Sequence, residues 1–355
     1  MTLYLFPHSQ VTSADLLDFY RRVQPRLGKF MMHDYQFLTD VRKAAPRTLL
    51  IGRLYDQWNT HQIADPKEAG ESWANRLYAN PCFRDHYTYW EWLNEVYGYT
   101  TDDPAALHAR WTGMDTAMAA FYDRVKALDP TKHPLGGNAG TGNMTGDEMV
   151  TYFPQSVKRY SWWGGHGYGF PTVSADAQYQ VLRYRDIMAG IRSVTPHARG
   201  ILTETGITHM VIPGFPDIGY TDIMTPDEYW CGAGNLSWLN DRLIEDKDFM
   251  EGGAVFQFEG EPEHWQTFEC VRTAIVDYME AIAPGTPAVD LGGGPVATFS
   301  YAFGFLARYN QNPAEVGEPM SAQIDIPNVA SIQFTANGMM FYNPVSSQVL
   351  FFRAA

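Results

Sequence analysis

The chain has 355 residues, 45% of them hydrophobic and 14% aromatic, which is enough to bury one large domain of roughly 250–300 residues and a small appendage. Its formal charge of −14 disfavours binding to phosphate-bearing partners such as nucleic acids and anionic membranes. The three cysteines lack metal-binding spacing and favour buried thiols over a disulfide framework. Because no apolar run reaches about 18 residues, we expect no transmembrane helix.

The N-terminal stretch Met1–Pro7 lacks the basic region and the cleavage site of a secretory leader. This pattern suits a cytoplasmic protein, and it equally suits a secreted protein whose leader has been removed. Nothing in the sequence indicates the oligomeric state.

Short apolar runs alternate with helical stretches along the first 283 residues. A first helix is expected to follow Thr12 or Ser13 as N-cap, with Asp15 in its first turn. The eight strand-like runs cover residues 3–8, 29–35, 48–55, 87–94, 133–138, 160–166, 200–205 and 253–258. Further helices are predicted over residues 67–78, 104–128, 175–194, 226–244 and 265–282.

Eight strand–helix units in roughly 280 residues are typical of an α/β fold of the (β/α)8 TIM barrel type. The competing architecture is an open, doubly wound sheet. The first strand-like run is not followed by a glycine-rich phosphate loop, which disfavours that alternative.

The pattern changes after residue 283. Proline pairs and a glycine run between residues 284 and 295 cannot continue a helix and predict a linker. The alternation in Ala330–Thr335, the turn signal Asn337-Gly338 and apolar runs at 339–342 and 349–352 then predict strands. We therefore expect a barrel over 1–283, a linker over 284–295 and a small β-rich module over 296–355. The module would bind glycan or cell wall, or cap the barrel.

Two of the apolar runs end on a glutamate, Glu95 after Trp90–Asn94 and Glu204 after Gly200–Thr203. A carboxylate at the exit of a buried strand is costly unless it has a function. In a (β/α)8 barrel both would lie at the C-terminal ends of the strands, where the active site is found. One acid and one nucleophile or base facing each other is the arrangement that cleaves a glycosidic bond.

Each glutamate also has an alternative interpretation. Glu95 could cap the start of a helix, and Glu204 could be a structural salt-bridge partner. Glu91 lies on the same run as Glu95 and could be the working residue instead.

Asn94-Glu95 on the fourth predicted strand and Leu202–Gly206 on the seventh resemble the signature of clan A, a large clan of (β/α)8-barrel retaining glycoside hydrolases. In that clan the glutamate of the Asn-Glu pair is the acid/base, and the glutamate ending strand seven is the nucleophile. The resemblance implies that Glu204 attacks the anomeric carbon of a β-linked saccharide. Glu95 would first protonate the leaving oxygen and then, ionised, activate water. It also implies degradation of an oligo- or polysaccharide without a cofactor.

The resemblance also assigns supporting roles. Asn94 would bind the sugar 2-hydroxyl, and Tyr168 or His166 would contact the nucleophile. Arg53 would hold Glu204 ionised, although the clan places such an arginine on strand two and Arg53 lies on the third predicted strand.

Further polar and aromatic residues at the predicted strand ends are expected to line a sugar site, namely Trp58 and Asn138. The clan carries a tryptophan directly after strand eight, whereas here Phe258-Glu259-Gly260 follows and Trp265 comes later. His166 could also be a simple loop residue, and Trp162-Trp163 are expected in packing more than in sugar binding.

Two other classes of function remain open. The first is a barrel that binds carbohydrate without turnover and is tethered by the C-terminal module. A metal-dependent hydrolase or lyase is the second, and the missing HxH pair on the first strand disfavours it. Glu259, Glu261, Glu263 and His264 lack the fixed spacing of a metal cage, so we expect a solvated loop there and no metal.

Overall fold

The computed structural model describes residues 2–54, 65–95, 104–208, 218–260 and 265–283, together with four strands between residues 324 and 353. The chain divides into two compact units, Met1–Pro287 and Ala288–Ala355. The predicted linker at 284–295 lies outside the described residues.

The first unit is a barrel of parallel strands in the order β5-β4-β3-β2-β1-β9-β8-β7-β6. The strands are β1 (Leu5–Ser9), β2 (Leu27–Phe30), β3 (Leu49–Arg53), β4 (Tyr89–Glu91), β5 (His133–Pro134), β6 (Gly136–Ala139), β7 (Trp162–Gly169), β8 (Arg199–Ile207) and β9 (Met250–Glu259). β5 pairs with β4 and β6 pairs with β7, and only Leu135 separates β5 from β6. These two short strands together occupy the fifth position and nearly close the ring. The predicted TIM-like α/β barrel is confirmed.

The irregular pairing of β6 with β7 has a local cause in the backbone. Gly137 and Asn138 both have φ in the left-handed region, at 85° and 70°. This conformation breaks the regular pairing of an extended strand, and the register between β6 and β7 shifts between Gly137 and Ala139.

The helices form the outer layer of the barrel. They are α1 (Ala14–Val23), α2 (Tyr35–Ala44), α3 (Pro66–Ala79), α4 (Pro81–Asp85), α5 (Pro104–Leu128), α6 (Gly146–Tyr152), α7 (Pro154–Arg159), α8 (Arg183–Val194), α9 (Pro226–Cys231), α10 (Leu236–Glu245) and α11 (Ala274–Ile282). Ser13 is the N-cap of α1, because its hydroxyl accepts a hydrogen bond from the backbone N–H of Leu16 (3.0 Å). It is one of the two N-cap residues that the sequence predicts.

Some predicted boundaries are wrong. The second strand ends at Phe30 and not at Tyr35, because Asp34 accepts a hydrogen bond from the N–H of Phe37 (2.9 Å) and begins α2. α8 begins only at Arg183, since residues 173–182 form successive turns.

Two further predicted helices are shorter than expected. The helix predicted over 226–244 is divided into α9 and α10, because Asn235 folds back and donates to the carbonyl of Glu228 (2.8 Å). The helix predicted from Trp265 begins at Ala274, where the side chain of Thr273 caps it. A single 3-10 turn, Gln266–Phe268, precedes it.

The apolar core lies between the barrel wall and the helices. Its largest fully buried side chains include Tyr20, Phe30, Tyr87 and Trp90. Burying such a side chain stabilises the fold by about 1.5–3 kcal/mol. Within the described part of the chain, no helix has the length and apolar character needed to cross a membrane.

The second unit contains an antiparallel sheet in the order β10-β11-β12-β13. Its strands are β10 (Ile324–Ile326), β11 (Ala330–Thr335), β12 (Gly338–Asn343) and β13 (Gln348–Arg353). The sequence predicts the last three of these strands and misses β10, which is only three residues long. Asn337, half of the predicted turn, lies outside the described residues.

Candidate active site

Glu204 lies on β8 and is held by donors from three other strands. Its Oε1 lies 3.2 Å from Nζ of Lys29 on β2 and 3.1 Å from Nη1 of Arg53 on β3. Its Oε2 accepts a hydrogen bond from the hydroxyl of Tyr168 on β7 (3.0 Å). These contacts fix both oxygens of a buried carboxylate at the C-terminal end of the barrel.

The surroundings keep Glu204 ionised. Burial alone would raise its pKa, but the charges of His166, Lys29 and Arg53 and the nearby His8 together hold the pKa well below the usual range of a glutamate. Nε2 of His8 is 3.6 Å from Oε1 of Glu204. Burial and the charge of Lys29 lower the pKa of His8 to about 4, so its ring is neutral near pH 7.

Glu95 follows β4 and lies across from Glu204. Its backbone has φ of 49°, in the left-handed region that few non-glycine residues adopt. Its N–H donates to the carbonyl of Asn138 (3.0 Å), which holds this conformation. The side chain is 41% exposed, so it faces solvent whereas Glu204 is buried.

His166 on β7 lies between the two carboxylates. Its Nδ1 is 2.8 Å from Oε1 of Glu95 and 3.4 Å from Oε2 of Glu204. Since both distances start at the same nitrogen, these two oxygens lie at most about 6.2 Å apart, which is the sum of 2.8 Å and 3.4 Å. The structure therefore brings the two predicted glutamates to opposite sides of one histidine.

A second glutamate of the fourth strand, Glu91, lies below this pair inside the barrel. It is fully buried, and its Oε1 accepts from Lys29 (2.9 Å), Arg53 (3.2 Å) and Asn138 (2.8 Å). Glu91 and Glu204 thus share two cations, and the four charges balance. This burial favours a structural role for Glu91 over the alternative that it is the working residue.

Three remaining predicted sugar-site residues have different outcomes. Asn94 lies at the site, where its Oδ1 accepts a hydrogen bond from Nη1 of Arg53. Asn138 is only 2% exposed, and its amide nitrogen donates to Glu91 and to the carbonyl of Leu93. It therefore supports the charged interior and does not face the opening. Trp58 lies outside the described residues.

An aromatic cluster lies beside the site at the end of β9. Phe256 on this strand approaches the ring of His8 at 5.0 Å and that of Tyr168 at 6.1 Å between centroids. Trp265 packs edge-on against Phe256 at 5.2 Å. Phe256 therefore contacts His8 and Tyr168, the neighbours of Glu204. Trp265, a residue predicted for the sugar site, packs against Phe256.

Sequence reasoning misses three residues of the site, namely Lys29, His8 and Phe256. Lys29 offers a signal, because it is the single charge within the short buried strand Leu27–Phe30. Because a buried lysine needs a partner carboxylate, Lys29 predicts a carboxylate inside the barrel. Phe256 is a typical core residue in sequence and carries no comparable signal, whereas His8 is the polar last residue of the first strand-like run.

Glu259, the first residue of the acidic group, differs from the predicted solvated loop. Glu259 is the last residue of β9, is buried, and bonds to Nη2 of Arg272 (2.6 Å) and to the hydroxyl of Ser13. Residues 261–264 lie outside the described part. Among the residues that the structure does describe, no group of three or more histidines, cysteines and carboxylates could hold a metal ion.

No protein-family model matches the chain, and no curated protein matches it by sequence. Solved structures match its fold. A glucosidase from Croceicoccus marinus is 12% identical with a TM-score of 0.50, and the match covers 96% of this chain and 74% of that one. A β-D-glucuronidase from Dictyoglomus thermophilum is also 12% identical with a TM-score of 0.50, over 81% of this chain and 52% of that one.

A β-glucuronidase from Bacteroides uniformis, at a TM-score of 0.45 and 12% identity, matches 73% of this chain. The chain spans 30% of that protein and about half of the Dictyoglomus enzyme. At 12% identity, the likeness to the Croceicoccus and Dictyoglomus enzymes shows a shared barrel fold and no more.

Proposed function

We propose that this protein is a retaining glycoside hydrolase that cleaves a β-linked saccharide, with Glu204 as nucleophile and Glu95 as acid/base. The contact of His166 with both carboxylates carries the proposal. It limits the separation of the two contacted oxygens to about 6.2 Å, so both carboxylates can reach the same glycosidic bond. The residue signature of clan A points the same way.

The charges suit a double displacement. Ionised Glu204 forms a bond to the anomeric carbon while the bond to the leaving oxygen breaks, and Glu95 transfers its proton to that oxygen. Forming the ester removes the charge of Glu204, and with it the repulsion that opposes ionisation of Glu95. Ionised Glu95 then takes a proton from water, whose oxygen attacks the anomeric carbon and releases Glu204.

The neighbours of Glu204 support its part in this cycle. Tyr168 and Arg53 each bind one of its oxygens, which orients the carboxylate and leaves it ionised for attack. Arg53 also binds the side chain of Asn94, which places that amide beside the nucleophile. We assign Asn94 to the sugar 2-hydroxyl on this basis.

The proposal is tested with a panel of 2,4-dinitrophenyl β-glycosides and β-linked polysaccharides. We expect turnover of at least one glycoside, with retention of configuration by NMR. Glu204→Ala should abolish it. Glu95→Ala should regain activity with azide and yield a β-glycosyl azide. Glu245→Gln, at the end of α10, is the control and should be unchanged.

Two outcomes would overturn the assignment. Wild-type rates in both glutamate variants would show that other groups do the chemistry. Binding of a saccharide without turnover by the wild-type protein would favour the alternative, a barrel that binds carbohydrate and is tethered by the second unit.

A further inference from the structure

Tyr179 stands out among the large apolar side chains of the described residues, with 67% of its surface exposed. A single exposed ring indicates nothing by itself. The position of Tyr179 is informative, because the residue lies in the turns that join β7 to α8. These turns follow the C-terminal end of a barrel strand, on the face where Glu95 and Glu204 meet.

Close backbone approaches connect Tyr179 to the side of the site that carries Glu95. A Cβ on Gly142 would lie 3.3 Å from the carbonyl oxygen of Tyr179. A Cβ on Gly140, two residues earlier in the same loop after β6, would lie 3.3 Å from the carboxyl carbon of Glu95. Glu95, this loop and Tyr179 are therefore successive neighbours along the rim of the barrel.

The segment carrying Tyr179 is firmly held. Val181 is fully buried, and its Cα lies 3.2 Å from the position that a Cβ of Gly167 would take. Gly167 is the residue between the two site residues of β7. Arg183 donates to the carbonyl of Met144 (2.7 Å) and so joins this segment to the loop after β6. The backbone that carries Tyr179 therefore needs little rearrangement when a ligand binds.

We infer that Tyr179 is a stacking platform for the leaving-group part of an oligosaccharide; this rests on the proposed function. Glu95 protonates the leaving oxygen, so the sugar units released in the first step extend from the scissile bond past Glu95. A tyrosine ring matches the apolar face of a pyranose, and the neighbouring exposed Gln178 can bind hydroxyls. The substrate class is therefore a chain of several sugars, not a glycoside of a small alcohol.

The test compares two substrates of the sugar that the aryl glycoside panel selects. The β-glycosyl fluoride has a leaving group too small to reach Tyr179, and the β-linked tetrasaccharide extends along the rim. For Tyr179→Ala, the ratio of kcat/KM for tetrasaccharide to that for fluoride should fall about tenfold. Tyr179→Phe keeps the ring and should stay within about twofold of wild type.

Tyr35 provides the matched control. It is 45% exposed, but its hydroxyl donates to Asp85 and its ring packs on His86, so Tyr35→Ala should leave the ratio unchanged. An unchanged ratio in Tyr179→Ala, or a wild-type protein that hydrolyses the fluoride but no tetrasaccharide, would overturn the inference. Failure of the wild-type protein to hydrolyse any fluoride or aryl glycoside would instead refute the proposed function.

Discussion

Replacing Lys29 by methionine tests the charge balance inside the barrel. Lys29 is fully buried, with Nζ 2.9 Å from Glu91 and 3.2 Å from Glu204. Its removal leaves Arg53 as the one guanidinium or ammonium group that Glu91 and Glu204 share, and a buried charge without its partner costs about 3–5 kcal/mol. We expect the free energy of unfolding to fall by that amount in urea denaturation.

The same substitution should change the pH dependence of activity. The charge of Lys29 is one of the causes that lower the pKa of Glu204, so its loss should raise that pKa. The acidic limb of the kcat/KM profile would then move to higher pH, because it reports ionisation of the nucleophile in the free enzyme.

A double variant separates charge balance from simple loss of packing. In the double variant Lys29→Met/Glu91→Gln, Arg53 again pairs with one carboxylate. Its loss of unfolding free energy should therefore be about 2 kcal/mol smaller than the summed losses of the two single variants. Lys43→Met removes an exposed lysine paired with Asp40 and should cost at most about 1 kcal/mol. A cost below about 1 kcal/mol for Lys29→Met, with an unmoved acidic limb, would refute the reasoning.

Three further results are expected. The pKa of His8 is lowered from 6.5 to about 4, as are those of His33 and His133, so proton uptake by the unfolded chain lowers stability from pH 7 to pH 5, and the share of His8 is about 2 kcal/mol. His8→Asn should make this loss of unfolding free energy about 2 kcal/mol smaller in urea titrations, and an equal loss would contradict the prediction. Tyr168→Phe removes the donor to Glu204 and should lower kcat/KM about 10- to 100-fold, whereas an unchanged value would make that hydrogen bond irrelevant. Gly70→Ala would make a Cβ overlap the carbonyl oxygen of Ala117 on α5, so thermal unfolding should show about 1–3 kcal/mol of destabilisation without loss of kcat/KM.

The barrel was predictable because each strand–helix unit carries its own signals. Ser13 before α1 and Pro104 at the start of α5 mark helix beginnings through local chemistry that any fold would use. The turns before α8 escaped prediction, because residues 175–182 have helical composition and only the packing of Val181 on Gly167 shows why they bend.

The site was predictable only in part, for a related reason. Glu95 and Glu204 end apolar runs, and that position alone singles them out in the sequence. The pairing of Lys29 with Glu91 joins residues that are 62 positions apart, and no local pattern records it. Arg53 contacts Glu204 from β3, and this approach depends on the closure of the barrel.

The ionic interior of this barrel limits how the protein can be made more robust. Many TIM barrels fill their centre with branched apolar side chains, whereas here Lys29, Arg53 and Glu91 occupy it directly beneath Glu204. A single apolar replacement there leaves a partner charge buried alone and destabilises the fold, whereas joint replacement of Lys29, Arg53 and Glu91 by apolar side chains would raise thermal stability at the expense of turnover. Engineering for industrial heat resistance should therefore target the helical shell and leave this charged centre untouched.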